Sequence, residues 1–202
     1  MGKSTTAAMF RRLGVPVFDS DAFVHKLQVK GGRAVGAIEA AFPGTTNKDG
    51  VDRTKLAAMV LGYPNRLLVL ESILHPLVHR GQKRWIQAQR RALKTLVVLD
   101  IPLLFETGSE SQVHYVVVVS ASAHIQRVRV LSRLGMTEEK FRNILAQQTP
   151  DRIKRRRADF VIPTGAGKRE TWTRLRRLLT KLKHGKALSR RRGFERRLVN
   201  HA

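Results

Sequence analysis

The stretch Met1-Gly2-Lys3-Ser4-Thr5-Thr6-Ala7-Ala8-Met9-Phe10-Arg11-Arg12-Leu13-Gly14-Val15-Pro16-Val17-Phe18-Asp19 opens the chain and sets its fold class. Gly2, Lys3 and Ser4 fit the last three positions of G-x-x-x-x-G-K-[ST]. In that pattern the backbone N–H groups of a glycine-rich loop cradle phosphates, the lysine reaches the β/γ-phosphates and the hydroxyl ligates Mg²⁺. Taken alone, the short G-K-S string equally suits a polar chain end. The next fifteen residues add weight: 5–13 are good helix formers with Ala8, Met9 and Leu13 at helical spacing, Gly14 is a stop, and 15–19 is a short strand. Loop, helix, turn and strand is the order in which a phosphate-binding βαβ unit continues. The first glycine of the full pattern would fall four residues before Met1, and the strand feeding the loop before that. The expectation is therefore that the first strand and the front of the loop are missing, through a start assigned too late or a trimmed chain.

Working outward, a continuous apolar run at 95–100 (Thr-Leu-Val-Val-Leu-Asp) is the pattern of a strand buried on both faces. Further strands are expected at 113–120 and 159–162. Between the first two strands lie helical patterns at 20–28, 33–42, 52–61 and 64–93, the last expected to break or restart at His75-Pro76. Helices at 123–133, 138–147 and 151–157 precede the last strand, and 168–183 closes the order. Strands alternating with helices imply an α/β fold with a parallel sheet whose faces are covered.

At 202 residues the chain can bury a substantial core and has no room for a second independent domain. It contains no cysteine, which excludes a disulfide framework or a thiolate metal site and leads to an expected cytoplasmic location. Its apolar runs are strand-sized, well short of the roughly 20 residues of a membrane helix, so no membrane partner is expected. Thirty-nine Lys and Arg against 15 Asp and Glu leave a net charge of +24. From Lys168 onward there are thirteen basic and two acidic residues. Such a field attracts nucleotides, nucleic acid or acidic lipid head groups without telling them apart.

Open parallel sheets bind ligands at the carboxyl ends of their strands. Asp19 and Asp21 lie just past one such end, and Asp100 ends another. A carboxylate there can accept a proton from a substrate hydroxyl or help hold Mg²⁺ through water. Asp19 or Ser20 can equally cap the following helix, a role that explains Asp21 less readily. His75 can pair with Glu71 one turn away or simply meet a backbone carbonyl. Arg127, Arg129 and Arg133 follow a buried strand, where they can clamp phosphates or form a solvated basic face.

In order along the chain stand Gly2-Lys3-Ser4-Thr5, Phe18-Asp19-Ser20-Asp21, Leu74-His75-Pro76-Leu77-Val78 and Asp100-Ile101-Pro102-Leu103-Leu104-Phe105-Glu106. Arg129, Arg133, Gln148 and Ala158-Asp159-Phe160-Val161-Ile162 come after them. This set resembles the dephospho-CoA kinase family, over Met1 to about Lys183. The resemblance implies a P-loop kinase fold, as a core at 1–184 with a helical CoA-binding insertion at about 29–93 and a lid at about 123–157. It implies ATP-dependent phosphorylation of the ribose 3′-hydroxyl of dephospho-CoA, with ATP and Mg²⁺ as cofactors. By position, Gly2, Lys3, Ser4, Thr5 and Arg129 would bind ATP, with Ser4 the Mg²⁺ ligand. Asp21 would be the base, and Lys3 and Arg133 would act on the transferring phosphate. Asp19, His75, Asp100, Pro102, Leu103 and Glu106 would serve the dephospho-CoA side. Residues 185–202 form a basic tail expected to be flexible, which the resemblance does not account for.

Three other readings stand beside this one. The charge suits a basic nucleic-acid-binding protein, or non-specific nucleic acid contact through the tail, although no zinc, RRM or helix-turn-helix signature is present to read bases. Another small-molecule P-loop kinase would share the loop. An inactive truncated relic would keep the fold without a usable ATP site.

Overall fold

Gly2 takes the left-handed backbone (φ 92°), which a side chain disfavours, and from it the first helix, α1 (Lys3–Arg12), departs. This is the turn the opening stretch calls for in the computed structural model, which describes residues 2–183. The tail at 185–202 lies outside the described residues. The helix ends one residue before Leu13, whose N–H returns to Met9 and Phe10. Val15 also bonds back to Phe10, so strand β1 (Val17–Asp19) starts after Pro16 rather than at 15.

The described residues fall into two compact units, one of Pro16–Pro102 and one of Met1–Val15 with the chain from Leu103 onward. In the first, β1 pairs in parallel with β4 (Val98–Asp100), in the register Val17 to Val98, Phe18 to Leu99 and Asp19 to Asp100. Between them run α2 (Ser20–Gln28), α3 (Val35–Ala41), α4 (Arg53–Val60) and α5 (Pro64–Arg91). A hairpin absent from the expected elements, β2 (Thr46–Asn47) with β3 (Gly50–Val51), joins α3 to α4. Glu39 holds the approach to it, accepting from the N–H groups of Gly44 and Thr46 and from the Thr46 hydroxyl at 2.7–3.0 Å. Leu27, Ala34, Ile38, Phe42, Leu56, Val60 and Leu70 form the core of this unit.

The expected break at His75-Pro76 does not occur: α5 is continuous through Pro76. Pro76 cannot donate to the Ser72 carbonyl, but both residues are exposed, so water can satisfy that group. Meanwhile Ile73, Leu74, Leu77 and Val78 press the helix onto the core on both sides of the proline. Further along, Gly81 lets the Phe23 ring approach the helix backbone: a Cβ at 81 would stand 2.1 Å from the Phe23 Cζ. Phe23 in turn packs on Phe18 of β1 (ring centroids 5.3 Å), which also meets Trp85 of α5 (5.5 Å).

In the other unit β5 (Val117–Ser120) and β6 (Phe160–Pro163) form a second parallel pair, both shorter or shifted relative to the apolar runs. Around them lie α6 (Ala123–Leu131), α7 (Glu138–Ala146), α8 (Asp151–Arg157) and α9 (Lys168–Lys183), with a short 3-10 turn at Ser109–Gln112. The parallel pairing is as expected, but it comes as two separate pairs, and no described strand bonds to both. Helices α1 and α9 pack together, Leu175 being fully buried and Arg12 lying 6.0 Å from the Trp172 ring.

Candidate active site

The first helical bond of α1 runs from Thr6 N–H to Gly2 C=O (2.9 Å). The N–H groups of Lys3, Ser4 and Thr5 therefore stand ahead of the ladder, at the positive end of the helix dipole, with no acidic side chain in that turn. Phosphate is the ligand such an end accepts best. A Cβ on Gly2 would lie 3.5 Å from the Thr164 side chain, so the turn rests against the loop after β6. Arg129 of α6 reaches the same residue, donating to the Thr164 hydroxyl (3.3 Å) and carbonyl (2.8 Å). Thr164 is buried and anchored to Ser120 C=O, at the carboxyl end of β5. The structure thus brings Gly2 and Arg129 to one place through Thr164, which sequence reasoning missed. Its position just past a parallel strand and before Gly165 was the available signal. Arg133 is exposed in the turn after α6.

In the other unit, Asp19 and Asp100 sit side by side at the carboxyl ends of β1 and β4, with Asp100 buried. Asp19 does cap α2, accepting from Ala22 N–H at 3.0 Å. Asp21 lies in the first turn of α2 and is exposed. His75 is exposed on α5, about three turns before Trp85 brings that helix to β1. Leu103, half exposed, adopts φ 53°, a strained state for a branched side chain that costs about 1–3 kcal/mol and occurs most at functional sites.

Glu106 is occupied within its own unit. Its Oε1 accepts from Thr149 N–H (2.7 Å) and from Lys154 Nζ (3.0 Å). Burial alone would raise its pKa, but the Thr149 and Glu106 N–H groups and the Lys154 ammonium outweigh that and hold it below the usual value. No helix of the described residues is long and apolar enough to cross a membrane. Among them no group of three or more His, Asp or Glu could hold a metal ion by itself.

The family model described as dephospho-CoA kinase matches residues 1–170. The chain belongs to the dephospho-CoA kinase family. A dephospho-CoA kinase of Mesorhizobium japonicum is 55% identical over 167 residues, covering 83% of this chain and 84% of that one. One of Agrobacterium fabrum is 50% identical over 182 residues, covering 90% and 93%. A crystal structure from Thermus thermophilus superposes with a TM-score of 0.75 at 34% identity, over 90% of this chain and 92% of that one. The dephospho-CoA kinase from Campylobacter jejuni shares the fold, with a TM-score of 0.68 at 22% identity, over 92% and 94%. As a member of this family the chain is an enzyme of ATP-dependent phosphoryl transfer to dephospho-CoA in coenzyme A biosynthesis.

Proposed function

We propose that this dephospho-CoA kinase uses Asp21 as the base that takes the proton of the ribose 3′-hydroxyl, with Asp19 and Asp100 supporting the acceptor side. Phosphoryl transfer needs positioning and neutralisation of charge more than covalent chemistry. The observation that carries the reading is the Gly2 turn at the head of α1 with Arg129 reaching Thr164 beside it, a donor-phosphate cradle made of N–H groups and a cation. Lys3 adds charge at the β/γ-phosphates, and Arg133 adds it to the transferring group. His75, Pro102 and Leu103 contribute to the dephospho-CoA side.

Mg²⁺ fits the residues present. It prefers hard oxygen ligands and keeps much of its shell as water and substrate phosphate, so few protein ligands are needed. Ser4, in the first turn of α1, would supply such an oxygen. When bound, the ion neutralises charge on the phosphate oxygens.

Steady-state ATP-dependent phosphorylation of dephospho-CoA, with the 3′ position of the product identified by NMR, tests the assignment. Asp21→Asn should lower kcat by about 10²–10⁴-fold, the usual worth of a general base, with ATP binding unchanged. An unchanged kcat removes Asp21 from the mechanism.

A further inference from the structure

The segment expected to act as a lid is fastened very unevenly. Its last helix, α8, is tied down by charged groups from the turn after β4 and by β5. Glu106 takes both Thr149 N–H and Lys154 Nζ, with the two side chains only 16% and 13% exposed. Asp151 accepts from the Ser120 hydroxyl at 2.8 Å. Arg157 pairs with Glu110 and lies 4.9 Å from the Phe105 ring. Asp159, just beyond, takes Val116 N–H at 2.7 Å. By contrast, the ion pairs of α7 engage exposed arginines: Arg127 with the half-buried Glu138 at 2.8 Å, and Arg142 with Glu138 at 3.9 Å. Leu134, at the turn between α6 and α7, is fully exposed, and Ile144 and Leu145 are exposed on α7.

We propose that Glu106 is a positioning residue, which through Lys154 and Thr149 pins the root of the lid at α8 so that α7 moves against a fixed base. This reading rests on the proposed function above and moves Glu106 from the dephospho-CoA side to the lid. Removing the carboxylate leaves the mostly buried Lys154 ammonium without its counter-charge, and the first turn of α8 must open to hydrate it. Arg133, in the turn that leads into α7, rides on the segment so anchored, so the loss is felt on the ATP side.

Hydrogen exchange over residues 149–157 tests this, with steady-state kinetics, in the wild type, Glu106→Gln, Lys154→Met and the double variant. Each single change should speed exchange of these amides by about tenfold, as expected for loss of a charged hydrogen bond, and the double should add little. Lys154→Arg, which keeps the charge, should restore most of the protection and keeps the test available if Lys154→Met does not fold. Both single variants should raise KM for ATP together, leaving KM for dephospho-CoA within about twofold. Unchanged exchange at 149–157, or a rise in KM for dephospho-CoA in Glu106→Gln without one in Lys154→Met, overturns the proposal. Exchange reads the anchor without turnover, so a wild type inactive on dephospho-CoA would defeat the proposed function while the exchange result still decides for or against the anchor.

Discussion

Gly81 offers a test in which the sign of the effect, and not only its size, discriminates. Glycine inside an exposed helix costs about 1 kcal/mol relative to alanine, so Gly81→Ala at an open site would stabilise the protein by that amount. At 81, however, the new Cβ would fall 2.1 Å from Phe23 Cζ and 2.3 Å from its Cε1, far inside van der Waals contact. Either the ring swings away from Phe18 or α5 lifts. Losing the aromatic contact costs about 0.5–1.5 kcal/mol. Exposing part of the ring or straining the packing adds about 1–3 kcal/mol. Subtracting the gain in helix propensity leaves a net loss of about 1–3 kcal/mol, or about 2–12 °C in melting temperature for a chain of this size. Thermal and urea unfolding followed by circular dichroism measures it. In a Phe23→Ala background the obstacle is gone, and the same Gly81→Ala change should turn stabilising by about 1 kcal/mol. A Gly81→Ala protein that melts higher than the wild type would refute the packing argument outright.

Two further outcomes rest on single contacts. Glu39, whose carboxyl is lowered from 4.5 by the Gly44 N–H and the Thr46 hydroxyl, has a folded pKa below its unfolded one. Its contribution is therefore complete above the unfolded value and lost as pH falls through the folded value. The melting temperatures of wild type and Glu39→Gln should differ most above pH 4.5 and converge in more acid buffer, and a gap that does not narrow as the pH falls would contradict this. Arg129→Lys loses the forked grip on Thr164, since an ammonium cannot span both oxygens in that geometry. It should raise KM for ATP by about tenfold with a melting temperature within about 4 °C of wild type, and an unaltered KM would place Arg129 outside the ATP site.

The parts of the fold that could be read from sequence are those set by local rules. Helix α2 begins where Asp19 caps it, and α9 spans 168–183 because Leu175, Leu178 and Leu179 recur on one face. The failures lie where distant packing overrules a local signal. Pro76 reads as a helix break, yet α5 is continuous through it, with Ile73, Leu74, Leu77 and Val78 packed on the core on both sides. The 46–51 hairpin, made of Thr, Asn, Lys, Asp, Gly and Val, has no apolar alternation to announce it. Its first strand is held by Glu39, seven residues earlier, which accepts from the Thr46 N–H and hydroxyl and from the Gly44 N–H just before it.

The candidate site divides in the same way. The Gly2 turn and the places of Asp19 and Asp100 at the carboxyl ends of strands follow from motif and strand position, which a sequence displays directly, while the pairing of the two strands side by side comes from the fold. Glu106 does not: it sits in a run that resembles a substrate-facing loop, and its partner Thr149 lies 43 residues away. Lys154 is hidden for a different reason. In Asp151-Arg152-Ile153-Lys154-Arg155-Arg156-Arg157 a run of like charge reads as one solvated face, and nothing in the run marks which cation turns inward. Only the apolar period offers a clue. Lys154 lies one turn before Ala158, which packs on the Phe105 and Val116 cluster, and there an ammonium needs a carboxylate. The strongly basic composition thus contains at least one lysine kept for a specific acidic partner, and the net charge of the chain cannot be assigned wholesale to attracting polyanions.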